Sequence, residues 1–156
     1  MKKMSAALWL VAGFCVTTPL LAKDIVVAQT LDLSGLSNLG KDFSNGVRTY
    51  FDAVNARGGV RGRRIQFVQL DDSGRAADAA ANVDKLLQEN DVDALIAPTS
   101  EETLLAAANA PRVRASGITM LGAPTGTDVD RAGLAARVLP VRATYRDEAR
   151  VLLDYL

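Results

Sequence analysis

The chain has 156 residues, with 18 lysines and arginines against 18 aspartates and glutamates, and no histidine. Zero formal charge leaves no long-range field to gather a polyanion, so nucleic acid is not an expected partner. Without histidine, and with Cys15 as the single cysteine, Ser-His-Asp and Cys-His nucleophilic sites and histidine-ligated zinc are excluded, and any catalysis would have to run on carboxylates, Lys, Tyr or hydroxyls.

The first segment, "MKKMSAALWLVAGFCVTTPLLA", runs from Lys2 and Lys3 through an apolar stretch to Ala22, the order of a cleaved secretory signal. Its uninterrupted apolar part falls short of the roughly 20 residues that span a bilayer. Removal after Ala22 takes Cys15 with it, so residues 23–156 must be held by a core and not by disulfides. The expected location is outside the cytoplasm.

"DIVVAQTLDLSG" opens with the apolar run Ile25 to Ala28, which suits a strand covered on both faces. Phe43, Val47, Tyr50, Phe51 and Val54 then mark one helical stripe, ending near Arg57 where Gly58 and Gly59 supply positive-φ positions. "RIQFVQL" is strand-like, with Ile65, Phe67 and Gln69 on one face. A second helix carries Ala76, Ala79, Ala80, Val83, Leu86 and Leu87, and "VDALIAP" is a third strand. A helix from about Glu101 is disturbed at Pro111 and stops before Gly117. "ITMLGAP" and "ARVLPV" are the fourth and fifth strands, and "TYRDEARVLLDYL" is a last helix whose stripe of Val151, Leu152 and Tyr155 has no visible partner. Strands alternating with helices predict an α/β fold: a parallel sheet with helices on both faces.

The stretch "NARGGVRGRR" has the composition of a phosphate cradle but the wrong position. Such a cradle lies between a strand and the start of a helix, where free N–H groups and the helix dipole meet an anion. Here the glycines follow a helix and precede a strand, so a structural turn is expected, with the arginines favoured by the negative helix end. Asp71 and Asp72 after the second strand admit a Mg²⁺ reading, but an N-cap role for Asp72 or Ser73 on the next helix is the more ordinary one.

"LDLSGLSNLGKDFSNGVRTYFDAVNARGGVRGRRIQFVQLDD", "NVDKLLQENDVDALIAP" and "GITMLGAPTGTDVDR" together resemble the N-terminal part of the Leu/Ile/Val-type periplasmic substrate-binding proteins of ABC transporters. That resemblance runs from about Ile25 to the end. It implies a two-lobed clamshell that closes on a small ligand and hands it to a permease in the inner membrane, with no cofactor and no enzymatic reaction. Residues 23–141 correspond to the first lobe and 142–156 to the start of a second, a truncated form of the family's architecture.

The same resemblance implies ligand contacts at Ser34 in the first loop, Thr99 and Ser100 after the third strand, and Ala123, Thr125 and Gly126 after the fourth. Thr99 to Glu102 also reads T-x-x-E, a capping box that would satisfy the helix start internally. Two departures from the family pattern matter. Glu101 and Glu102 put negative charge where a ligand carboxylate would dock, which favours an amide, a cation or a neutral ligand unless they point away. Leu39 also stands where some relatives carry an aromatic.

The expected function is therefore the solute-binding component of an importer for an amino acid or related amide. A ligand-sensing or partner-docking module of the same fold is the alternative. A carboxylate enzyme built on Asp71, Asp72 or Glu101 ranks below both, because no convergent acid–base pair is visible.

Overall fold

The computed structural model describes residues 23–35, 38–130 and 132–156. The expected signal segment, residues 1–22, lies outside the described residues. Five parallel strands form one sheet: β1 (Ile25–Leu31), β2 (Ile65–Asp71), β3 (Ala94–Ile96), β4 (Met120–Ala123) and β5 (Val138–Pro140), in the spatial order β2-β1-β3-β4-β5. The helices are α1 (Leu39–Ala56), α2 (Ala76–Glu89), α3 (Glu101–Ala108), α4 (Pro111–Ser116) and α5 (Tyr145–Tyr155). This is the α/β architecture that the alternation of patterns implies, with helices on both faces. No helix among the described residues is long and apolar enough to cross a membrane.

The central strand β1 is buried on both sides from Val26 to Leu31. One face packs under α2, α3 and α4, where Ala28, Leu95, Met120 and Val138 meet Val83, Leu86, Leu104 and Val113. Each such Leu, Val or Met contributes on the order of 1.5–3 kcal/mol by leaving water.

The other face carries α1 over β1 and β2. The Phe51 and Phe67 rings meet edge-on at 5.4 Å, and the Ser44 hydroxyl donates to Gln69 Oε1 at 2.8 Å. Gln69 Nε2 donates in turn to Gln29 Oε1 (3.0 Å), and Gln29 Nε2 to the Ala97 carbonyl (3.1 Å). A polar chain thus crosses the sheet from α1 to the carboxyl end of β3, satisfying the fully buried Gln29. Beyond it, Ile96, Leu121 and Leu139 follow in register, and Leu121 and Leu139 are exposed. Coverage of this face therefore stops after β1, leaving a groove of about 440 Å³ edged by Phe43, Val47, Tyr50 and Phe51.

The glycine- and arginine-rich stretch is a turn, and its residues have separate tasks. Asn55 mimics a neighbouring strand: its amide group donates to the Ile65 carbonyl (2.9 Å) and its Oδ1 accepts from the Ile65 N–H (2.7 Å), pairing the end of an edge strand. Gly59, at φ +74°, lies so close to the Arg63 carbonyl that an added Cβ would stand 2.0 Å from it. Of the arginines in this stretch only Arg57 stands at the helix end, as the C-cap residue of α1, and no basic residue lies within its last turn. Arg63 instead donates to the carbonyls of Lys23 and Asp24, tying the turn to the chain ahead of β1.

Helix starts depart from the sequence expectation twice. The side chain that caps α3 is Ser100, whose Oγ accepts from the Thr103 N–H at 3.2 Å, so the motif is S-x-x-T and not the T-x-x-E box starting at Thr99. At α2 the N-cap position is Arg75, with no side-chain cap, while Asp72 and Ser73 lie further back in the turn. Asp72 is instead fully buried, accepting from the Thr30 hydroxyl (2.8 Å) and the Gly74 N–H (2.9 Å). The helix expected to be disturbed at Pro111 is two helices, α3 and α4, with Pro111 at the start of the second and Gly117 closing it at φ +69°.

Candidate ligand-binding cleft

After β1 the chain turns to one side to make β2, then crosses back to place β3 on the other. The loops leaving the carboxyl ends of β1 and β3 therefore diverge, and open parallel sheets leave a crevice at such a point. Two adjoining clefts lie there. One, of about 300 Å³, runs from Asp32, Gly40 and Gly74 to Glu102 and Thr103. The other, of about 340 Å³, is bounded by Phe43, Glu101, Pro124, Thr125, Arg142 and Tyr145. Leu39, Thr99 and Ser100 belong to both and form the divide between them.

Of the six residues singled out from the sequence, the structure brings Thr99, Ser100 and Thr125 to these clefts. Thr125 is nearly buried; its hydroxyl pairs with that of Thr127 and accepts from the Thr127 N–H at 3.0 Å, which fixes its rotamer. Ala123 and Gly126 stand behind the wall. The Ala123 carbonyl accepts from the Val141 N–H at 3.1 Å, and the Gly126 carbonyl from the Tyr145 N–H at 2.9 Å. Gly126 also makes room for the Tyr145 ring, since a Cβ there would lie 2.6 Å from a ring carbon. Ser34 does not line either cleft. It is exposed, with its hydroxyl 2.9 Å from that of Ser73.

Arg142 and Tyr145 were not among the residues singled out. Both follow β5 at its carboxyl end, and the guanidinium of Arg142 sits 5.5 Å from the Tyr145 ring centroid. The available signal was the pattern Thr144-x-x-Asp147, in which Thr144 caps α5 and accepts from the Asp147 N–H at 3.1 Å. That cap starts the helix beside β4's loop and turns Tyr145 back over Gly126.

Charge at the clefts is mainly negative. Glu101 faces one cleft, and Glu102 with Asp32 faces the other. The single guanidinium, Arg142, is hydrogen-bonded to Glu148, which raises its pKa further and commits part of its charge. The two glutamates also occupy the first turn of α3, where they complement the helix dipole and weaken its pull on an external anion. Among the described residues no group of three or more acidic, histidine or cysteine side chains could hold a metal ion.

Residues 24–156 match the model of a family described as periplasmic binding protein. The chain belongs to that family. Its members are substrate-binding proteins and not enzymes. No curated protein matches the chain significantly.

Among solved structures it is similar to a possible leucine/isoleucine/valine-binding protein from Rhodopirellula baltica, at 26% identity and TM-score 0.75, over 88% of this chain and 37% of that one. A substrate-binding periplasmic protein from Ralstonia solanacearum is similar at 27% identity and TM-score 0.76, covering 85% of this chain and 37% of its own. The fold is also that of a branched-chain amino acid transporter substrate-binding protein from Streptococcus pneumoniae, solved in complex with isoleucine, at 23% identity, TM-score 0.68, and 78% and 34% coverage. The chain thus spans little more than a third of the length of these proteins.

Proposed function

We propose that the chain is the ligand-gripping first lobe of the extracytoplasmic solute-binding component of an ABC importer. It resides in the periplasm after loss of residues 1–22 and delivers its ligand to a permease in the inner membrane. The ligand is an amino acid or a related small amide. The observation that carries this reading is the convergence of Thr99, Ser100 and Thr125 on adjoining clefts at the topological switch point, in a chain of the periplasmic binding protein family. The likeness to the Rhodopirellula protein supports a ligand of the branched-chain amino-acid type.

The wall that this lobe offers has hydroxyl donors and carboxylates, with its one arginine already engaged. It suits a neutral or cationic polar group at the start of α3 better than a free carboxylate. The apolar edge formed by Leu39, Phe43 and Tyr145 suits an aliphatic side chain.

The test is a titration of L-leucine, L-isoleucine and L-leucinamide, followed by NMR shifts of the Ser100 and Thr125 amides. Saturable shifts at both positions, larger for the amide than for the acid at equal concentration, are expected. Shifts scattered over the surface, or none with any of the three, would refute the reading.

A further inference from the structure

The loop after β1 and the loop after β2 form one wall of the cleft, through Asp32 and Gly74. Neither belongs to a helix or strand, and the second has an unusual backbone. Ser73 sits at φ +50° and Gly74 at φ +70°, two consecutive left-handed residues of which only the glycine adopts the shape without cost. A serine holds that conformation only when its surroundings impose it.

The surroundings are side chains of the residues just before. One carboxylate oxygen of Asp71 accepts two backbone amides from different loops: Ser73 N–H at 2.8 Å and Leu33 N–H at 3.0 Å. The Ser34 and Ser73 hydroxyls bridge the same two loops at 2.9 Å. From below, Asn82 of α2 donates to the Asp71 carbonyl (3.0 Å) and to the Thr30 hydroxyl (3.2 Å), and Thr30 donates to Asp72. Asp72 takes the Gly74 N–H, so two successive carboxylates hold two successive left-handed amides. The arrangement leaves Asp32, whose own carboxylate accepts the Gly35 N–H at 2.7 Å, lying against Gly74 at the cleft wall.

We propose that Asp71 is a positioning residue for the cleft: its carboxylate staples the Leu33–Ser34 turn to the Ser73–Gly74 turn and thereby sets where Asp32 and Gly74 stand against a ligand. The ligand does not touch Asp71. The staple fixes the wall before any ligand arrives, so binding need not order it. The inference rests on the ligand-binding reading of the cleft for its functional half, and on hydrogen-bond geometry alone for its structural half.

The two halves separate experimentally. Amide exchange at Leu33 and Ser73 is followed by NMR in the full chain, in D71A and in D71N, and L-leucine and L-leucinamide are titrated at millimolar concentration into each. D71A should exchange those two amides at least ten-fold faster, while amides in β1 and β3 stay within about two-fold. It should also weaken the bound amino acid or amide by at least five-fold with little change in global unfolding.

D71N keeps a carbonyl oxygen where the two amides converge and should recover most of the protection and most of the affinity, which a general loss of fold would not. Unchanged exchange in D71A overturns the staple. Faster exchange with unchanged affinity overturns the positioning role. If neither compound shifts the Ser100 and Thr125 amides even in the wild type, the ligand reading has failed, and the staple stands or falls on exchange alone.

Discussion

Replacing Asp72 with alanine would leave the buried Thr30 hydroxyl and the Gly74 amide without their acceptor. A loss of about 1–3 kcal/mol is expected, measured by urea unfolding at neutral pH. The charge itself acts in the opposite sense. Burial, opposed by those two hydrogen bonds and aided by the nearby Asp32 and Asp71, pushes the Asp72 carboxyl above its ordinary value. A carboxyl that binds its proton more tightly when folded favours folding in acid, and that contribution is lost as pH rises from about 3.9 through the folded value. The stability of wild type relative to D72N should therefore fall over that rise.

Asp71 titrates the other way. Partial burial is the largest single influence and pushes its carboxyl up, but the combined hydrogen bonds from Ser34, Leu33 and Ser73 outweigh it and leave the value lowered. Its contribution is present above the ordinary carboxylate value and disappears as pH falls through the folded one. Acid should thus release the first loop while easing the charge beneath it, visible as a falling protection factor at the Leu33 amide, relative to its intrinsic exchange at each pH, before any global unfolding.

At the scale of elements, the start of α3 separates two readings that the sequence leaves side by side. Loss of the Ser100 cap in S100A should cost about 1 kcal/mol. T99A should cost less than about 0.5 kcal/mol, since the Thr99 side chain caps nothing and faces the cleft. Thermal unfolding of the two variants decides between Thr99 and Ser100 as the cap.

The turn between α1 and β2 offers a matched pair of glycines. G59A forces a Cβ onto the Arg63 carbonyl at a left-handed position and should cost more than about 2 kcal/mol, whereas G58A meets no neighbouring atom and should cost about 1. Chemical denaturation of both variants would check the difference.

These elements also show what could be read in advance. Strand and helix existence followed from period and from glycine placement, as at Gly117, because those signals are local. The cap of α3 was misread because T-x-x-E and S-x-x-T are offset by only one residue, and which hydroxyl turns toward the helix depends on where β3 releases the chain. Asp71 and Asp72 carried no local sign of their distant partners, Leu33 and Thr30, which only the pairing of β1 with β2 brings close. For the same reason Arg142 and Tyr145 escaped notice, as their place in the cleft depends on β5 lying beside β4.

At the scale of the whole molecule, the cleft is one-sided. The wall formed by this lobe leaves one flank of a small ligand in water, while pockets of useful affinity bury about 70–90% of a ligand's surface. Residues 23–156 on their own should bind leucine or its amide with a dissociation constant well above micromolar. Micromolar binding by calorimetry would mean that these clefts enclose more than their geometry suggests.

The strand order has a further consequence, for the time before the molecule is folded. The strand made first, β1, lies between two strands made later: Gln29 bonds across to Gln69, and Val26 to Asp93, 67 positions on. Closing such long loops comes before any reward from the contacts they make, so formation is slow and late. An emerging polypeptide cannot complete its central pairing until about Ile96 is free. Until then the leading half is without the β3 neighbour that completes its central strand, and it should be more easily unfolded than the finished sheet.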